Sequence, residues 1–378
     1  MNDNALNSHT AALATIQLYA MGCHIELSLD MTRLSQLYLP AAIEHQLDCL
    51  KNTIQGQLAH WERIFSRFDD HSELMRLNTH TNQWTSVSAE LFAVLQRAMH
   101  FVPRTQGLVT PTLLKPLWDA GYQYSFETLT KHSTLSTPSK PNTNKSNATK
   151  SNATKSNANP QIERIKLRQL TDERYDVYLP KGMALDLNGY VKGWCASQLA
   201  EQMSKAHDWH IPCLVDMGGD IAIGVPSATG HNPIVWGIAI AKPYGTDTPH
   251  AYANEQGDSK QRDNKHGDVA ILAIQSGGVA TSGQDYRRWW HNGKWQHHLI
   301  HPHHGQPAIS DVMSATVLAT DTLTAEVYAK YCVLLGVAQA TLWLAHHNIA
   351  AVLIDTDNKV WVSAAMHSNL AQPNLLVV

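Results

Sequence analysis

The stretch KWQHHLIHPHHGQP carries imidazoles at His297, His298, His301, His303 and His304. Imidazole is the commonest metal-binding side chain, so the segment is either a metal site or a loop whose histidines do something else. No carboxylate or thiolate stands at metal-motif spacing beside it, and the zinc reading lacks those companions. A second stretch, LDLNGYVKGW, ends an apolar run with Asp186 and then sets Gly189, Lys192 and Gly193 where a helix should open. Free N–H groups at a helix start, beside a lysine, suit phosphate oxygens. Many strand-to-helix turns share that pattern, so alone it carries little. The Gly pair in VDMGGDIAIG permits close backbone approach. GGVATSGQDYRRWW adds Thr281, Ser282, Gly283 and two arginines, which suit phosphate and equally a hairpin turn. In isolation FSRFDDHSELMRLN is a helix-to-loop transition with Ser72 as a cap, and GLVTPTLLKPLWDAGY is a Gly/Pro-punctuated loop.

Such residues need a scaffold, and apolar periodicity supplies one. TIQLYAMGCHIELSL alternates as strands, while residues 41–65 place Ile43, Leu47, Leu50, Ile54, Leu58 and Trp61 on one helical face. A second helix is predicted over 89–101 with Ser88 as its N-cap. MALDL reads as a strand that leads into the helix GYVKGWCASQLAEQMSKA. CLVDMGGDIAIGV, IVWGIAIA, VAILAIQ and SATVLATD are strand-like, and TLTAEVYAKYCVLLG is helical. AAVLIDTDNKVWVSAAM is a hairpin turning at Asp357 and Asn358. Strands and helices mix without strict β-α-β alternation, so the expected class is α+β, mixed β-sheets packed with helices.

Two polar stretches interrupt this order. Residues 131–160 hold a repeated KSNAT unit with no large apolar residue, a low-complexity insertion that cannot offset its ordering entropy. Residues 242–268 form a polar loop insertion. One domain is expected over 11–378. Hydrophobic residues at 43% against 16% charged make the chain globular, and a net charge of -3 leaves no electrostatic footprint for nucleic acid. Cys23, Cys49, Cys195, Cys213 and Cys332 are scattered without a C-x-x-C pair, which suits reduced thiols in the cytoplasm. No apolar run reaches the ~18 residues that span a bilayer, so no stable membrane insertion is expected. LYAMGC looks like a lipoprotein cleavage site, but MNDNALNSHT has no basic residue and Gln17 breaks the apolar run. Export is the lesser reading.

Taken in order, the motifs are M-G-C, F-S-R-F-x-x-x-S-E-L-x-R-L-N, G-x-x-x-P-T, D-L-x-G-x-x-K-G, G-G-D-I, A-T-S-G, H-H-x-I-x-P-x-x-G-x-P and A-E-x-x-x-K-x-x-x-x-L-G. This series resembles the FAD:protein FMN transferases, the ApbE family, from about Tyr19 to the C-terminal hairpin. Both polar insertions fall between its motifs. The resemblance implies a single ApbE-like domain that binds FAD and, with Mg²⁺, moves FMN onto a Thr or Ser hydroxyl of a partner flavoprotein, releasing AMP. Rival readings are a degenerate FAD-binding protein and an FAD pyrophosphatase giving FMN and AMP. Carried over by position, Met21 and Phe68 meet the flavin, the latter replacing a tyrosine. Leu108, Val109 and Thr110 line the nucleotide cleft, and Asp186 and Lys192 meet FAD. Gly189 offers a carbonyl to the metal, His298 is the candidate general base and Ile300 lies against the cofactor. His301 and His304 then stand where the family carries Asp and Thr.

The metal positions depart from the family. Glu326 and Lys330 stand where Asp and Thr are usual, and Thr110 replaces a further Asp. Spacing i, i+4 puts Glu326 and Lys330 on one helix face. Glutamate can ligate Mg²⁺, but lysine carries only donors. The substitutions lead us to expect the Lys330 ammonium, paired with Glu326, in the cation's place. The plain alternative is a surface ion pair worth ~0.3–0.5 kcal/mol.

Overall fold

Alternating apolar residues make β1 (Leu13–Ala20) and β2 (Cys23–Asp30), a hairpin whose register pairs Leu13 with Asp30 and Ala20 with Cys23. Its connection, Met21-Gly22, has φ of 55° and 68°. Two left-handed residues in succession match the twist of the flanking strands. The computed structural model describes residues 13–32, 35, 39–126, 128–129, 162–205, 211–226, 234–243 and 267–371. The expected insertion at 131–160 lies outside these residues, as does 244–266 of the second. The flanks of that second stretch pair at Ala241 and Asp268.

Helix α1 (Pro40–Phe65) starts on proline, whose missing N–H costs nothing at a helix N-terminus. It buries Ile54, Leu58, Trp61, Ile64 and Phe65. Ser72 caps α2 (Glu73–Thr79) by accepting from the Met75 N–H, and Ser88 caps α3 (Ala89–Arg104) by accepting from the Leu91 N–H. Between them lies β3 (Trp84–Val87), and α4 (Leu114–Asp119) follows. β4 (Lys166–Thr171) and β5 (Arg174–Tyr178) join β3 in a three-stranded antiparallel sheet that hydrophobic alternation did not reveal.

The remaining chain runs through α5 (Val191–Lys205), β6 (Cys213–Met217), β7 (Asp220–Gly224), β8 (Trp236–Ala241), β9 (Asp268–Ile274) and β10 (Gly277–Gly283). Two short hairpins follow, β11 (Arg288–His291) with β12 (Lys294–His297), and β13 (Ile300–His301) with β14 (Gln306–Pro307). β15 (Val312–Ala319), α6 (Thr322–Leu335), α7 (Val337–His347), β16 (Ala350–Asp355) and β17 (Val360–Val362) complete it. The main sheet has eight strands in the order β1-β2-β6-β7-β10-β15-β16-β17, antiparallel at each pairing.

The two-residue period of each strand decides which face a side chain serves. Leu27, Val215, Ala222, Ala315 and Leu353 turn toward the helices. Ile221, Ile223, Val352 and Ile354 turn the other way, against β8 and β9. The result is an α+β fold with helices on one face and a two-stranded layer on the other. Among the described residues no helix is long and apolar enough to cross a membrane.

MALDL is not a strand, contrary to its apolar alternation. Residues 183–187 form neither helix nor strand and join no ladder. Leu185 N–H donates to Asn78 Oδ1 at 2.7 Å, and Asn78 Nδ2 donates to the Leu185 carbonyl at 3.0 Å. Asp186 N–H donates to the Pro111 carbonyl at 2.7 Å. A side-chain amide and a proline carbonyl thus satisfy backbone that a neighbouring strand would otherwise take.

Candidate functional site

Two tight turns meet at one end of the main sheet, because Ile25 of β2 pairs with Met217 of β6. One carries Met21, whose N–H donates to Glu62 Oε1 at 2.6 Å. The other is Gly218-Gly219, with φ of 67° and 93°. A Cβ on Gly218 would stand 2.8 Å from the Cys23 Cβ, so glycine there lets the second turn pack under the first. That turn delivers Asp220, 1% exposed, at the start of β7. Asp220 forms an ion pair with Lys192, in the first turn of α5. Burial pushes the Asp220 carboxyl up to about 6 despite Lys192, and the Glu326 charge adds to the rise. Burial also opposes the Lys192 charge, but Asp220 and Glu326 outweigh it and raise its pKa.

Helix α6 is buried almost all round, and Glu326 within it is 1% exposed. Its Oε1 accepts from Lys330 Nζ at 2.8 Å and its Oε2 from the Gly193 N–H at 3.0 Å. The second bond exists because α5 and α6 touch backbone to backbone. A Cβ on Gly193 would meet Thr322 and Leu323 main-chain atoms at 2.8 Å. Lys330 Nζ lies 3.1 Å from where a Cβ on Gly189 would stand, over the turn that precedes α5. The plain alternative of a surface pair does not hold for Glu326 and Lys330, whose side chains are 2% and 15% exposed.

Asp186 leads into the same turn. Its Oδ1 accepts from the Asn188 N–H at 2.8 Å, and Oδ2 lies 3.6 Å from Arg67 Nε, an ion pair too long for a hydrogen bond. The Arg67 guanidinium is sandwiched between Phe68 and Tyr122, 4.2 Å from each ring centroid. It donates from Nη1 to the Tyr122 carbonyl at 2.7 Å. Arg67 Nε and Nη2 are buried without a hydrogen-bond partner among the described residues. Tyr190, also buried, links the two acid groups: burial first, then the Glu326 and Asp186 charges, raise its pKa well above the ordinary value.

His298, half-buried, follows β12. Burial, then Arg287, His297, Lys330 and Lys192, hold its pKa well below the usual imidazole range. Its Nδ1 has no hydrogen-bond partner among the described residues. His297 donates from Nε2 to the Ala308 carbonyl at 2.9 Å, and burial lowers its pKa to about 4. In the β13–β14 turn the His301 ring stacks on His304, centroids 4.6 Å apart, and meets His303 at a tilt, 5.4 Å apart. Among the described residues no three His, Cys, Asp or Glu side chains are grouped to hold a metal ion.

These imidazoles give a sign to the acid response. A histidine neutral when folded but free to protonate when unfolded leaves the unfolded state binding more protons, so stability falls with pH. For His297, displaced from 6.5 to about 4, the loss at pH 5 is roughly 2 kcal/mol. Asp220, displaced from 3.8 to about 6, works in the opposite sense, since its folded form keeps a proton longer. His297 and His298 together outweigh it. The melting temperature should fall on going from about pH 7 to about pH 5, and a level or rising melting curve would contradict this balance.

The structure brings Asp186, Gly189, Lys192, His298, Glu326 and Lys330 into one electrostatic neighbourhood. Phe68 is 40% exposed beside Arg67. Val109 packs in the main core and Ile300 in a smaller cluster with Leu117, Tyr122 and Trp289. Leu108 is partly buried, and buried Thr110 shares a 2.9 Å hydrogen bond with Thr112. Sequence reasoning passed over Arg67, Asp220 and Arg287 as individuals, although each sits inside a quoted motif. A cavity of about 500 Å³ lies elsewhere, lined by Leu13, Glu26, Leu214 and Trp236, and touches none of these groups.

The ApbE family model matches residues 21–353. A Treponema pallidum protein named FAD:protein FMN transferase is 26% identical over 323 residues, covering 81% of this chain and 76% of that protein. An Escherichia coli protein of the same name is 25% identical over 338 residues, covering 85% and 82%. The crystal structure of the ApbE protein from Thermotoga maritima superposes with a TM-score of 0.70 at 20% identity, covering 95% of this chain and 100% of that one.

Proposed function

The chain belongs to the ApbE family, and from that premise we infer that it is an FAD:protein FMN transferase. It takes FMN from FAD, attaches it to a Thr or Ser hydroxyl of a partner flavoprotein, and releases AMP. One observation supports this most. Lys192, Arg287 and Lys330 all act on His298 beside the turn that opens α5. Three cations over two acids, Asp220 and Glu326, with the Asp186 charge offset by Arg67, suit a dianionic pyrophosphate next to a proton acceptor.

In the transfer, the acceptor hydroxyl oxygen attacks the FMN phosphorus and forms the new P–O bond. The bridging P–O bond breaks, AMP leaves with its electron pair, and the hydroxyl proton passes to His298. With its pKa held well below the usual imidazole range, the ring is neutral near pH 7 and has a lone pair to give. An arriving pyrophosphate offsets the surrounding cations, so the ring's proton affinity rises when FAD binds. Met21, Phe68, Leu108, Val109, Thr110 and Ile300 are our candidates for contact with the flavin and nucleotide. Asp186, Lys192 and the Gly189 backbone are those for the pyrophosphate end.

Magnesium, which the motif resemblance implies, does not fit the residues present. Glu326 already uses both oxygens, and Lys330 adds donors where a ligand oxygen is needed. We place the protein in the cytoplasm, a reading supported by five free cysteines, three of them buried. We take residues 11–378 as the catalytic domain.

Co-expression with a flavin-accepting domain, followed by in-gel fluorescence, tests the assignment. A fluorescent acceptor band is the expected result. Bound FAD without a band would make the chain a binder, and free FMN with AMP would make it a pyrophosphatase.

A further inference from the structure

We propose that the Lys330 ammonium, seated on Glu326 above Gly189, is the group that neutralises the FAD pyrophosphate, so that binding and transfer need no divalent cation. This rests on the transferase reading and specifies its electrostatics. The Glu326 carboxylate anchors the ammonium through Oε1, while the Gly193 N–H fixes Oε2. An ammonium carries three donors, and Glu326 takes one of them. The lysine side chain keeps 15% of its surface exposed, so it is not sealed into the core. Glycine at position 189 leaves the ammonium room, because a Cβ there would stand 3.1 Å from Nζ and push it aside by a few tenths of an ångström.

The charge count points the same way. Lys192, Arg287 and Lys330 face Asp220 and Glu326, and Arg67 offsets Asp186, so a divalent cation entering the cluster meets a net positive environment, whereas a pyrophosphate meets a complementary one. Asp220 is already paired with Lys192 and Glu326 with Lys330, so a metal at either acid would have to sit against an ammonium. During transfer, negative charge grows on the departing AMP phosphate as the bridging P–O bond breaks. A fixed ammonium stabilises that charge without a metal having to bind first.

The test is calorimetric titration of FAD into the full chain, first in EDTA and then in millimolar Mg²⁺. Dissociation constants equal within about twofold are expected. Binding that appears only with Mg²⁺ overturns the proposal while leaving the transferase assignment standing. Binding in neither condition sinks the assignment itself. Lys330→Met should weaken FAD binding by about tenfold or more, with no rescue by Mg²⁺. The double variant E326D/K330T, which restores oxygen donors, should bind FAD in a Mg²⁺-dependent way. Thermal melting of both variants separates a lost contact from a lost fold, and the wild-type comparison in EDTA decides the proposal even if neither variant folds.

Discussion

His298→Ala is expected to bind FAD with little change and to transfer FMN about 10²–10⁴-fold more slowly. The ring sits among Arg287, His297, Lys330 and Lys192, and burial with those charges keeps it unprotonated. No carboxylate orients it through Nδ1, which is buried without a hydrogen-bond partner among the described residues. It is therefore a poor base in the free protein and becomes a better one when the pyrophosphate balances its neighbours. Alanine removes the proton acceptor but leaves Lys192, Arg287 and Lys330 to hold the dianion. Transfer is read as the mass shift of a flavin-accepting domain, and FAD affinity by titration. If affinity collapses in parallel with the rate, His298 positions the substrate and the base lies elsewhere. The pH profile adds a second reading. The wild-type rate should fall on the acid side with the imidazole of the complex, and the residual alanine rate should lose that limb.

Helices α1, α3, α5 and α6 and most of the longer strands were legible because their apolar residues form runs or repeats within one segment, whereas α4, inside a stretch that reads as a loop, and α7 were not. Ser72 and Ser88 were visible as caps since a cap is a local hydrogen bond. β3, β4 and β5 escaped because WTSV, KLRQLT and RYDVY are short and mostly half-exposed, so alternation barely registers. MALDL failed for the opposite reason. It alternates like a strand, yet its partner is the Asn78 amide, 107 residues away. The site divides similarly. His298, Lys192, Glu326 and Lys330 stand at motif positions, and motif order exposes them. Asp220 gains meaning from Lys192, 28 residues earlier, and Arg67 from the Tyr122 carbonyl, 55 residues later, and from Asp186. Those pairings belong to the folded chain, and no local spacing announces them.

Arg67→Met is expected to cost about 3 kcal/mol or more of folding stability. Methionine keeps the length of the stem and most of its contact with the Phe68 and Tyr122 rings, but removes the charge that both rings face. Asp186, 8% exposed, then retains the Asn188 N–H and loses its only paired cation among the described residues. Removing one partner of a buried pair leaves the other's desolvation uncompensated, which is why the single change should be worse than the double. Arg67→Met with Asp186→Asn should recover part of the loss, since asparagine can still accept from the Asn188 N–H without carrying charge. Urea midpoints at constant m measure both variants. A single variant at the wild-type midpoint would mean that backbone hydrogen bonding alone holds Asp186, and that Arg67 is present for the ligand rather than for the fold. In that outcome the two guanidinium nitrogens without a hydrogen-bond partner among the described residues, Nε and Nη2, become the reason the arginine is there, and FAD affinity is the quantity the substitution should move.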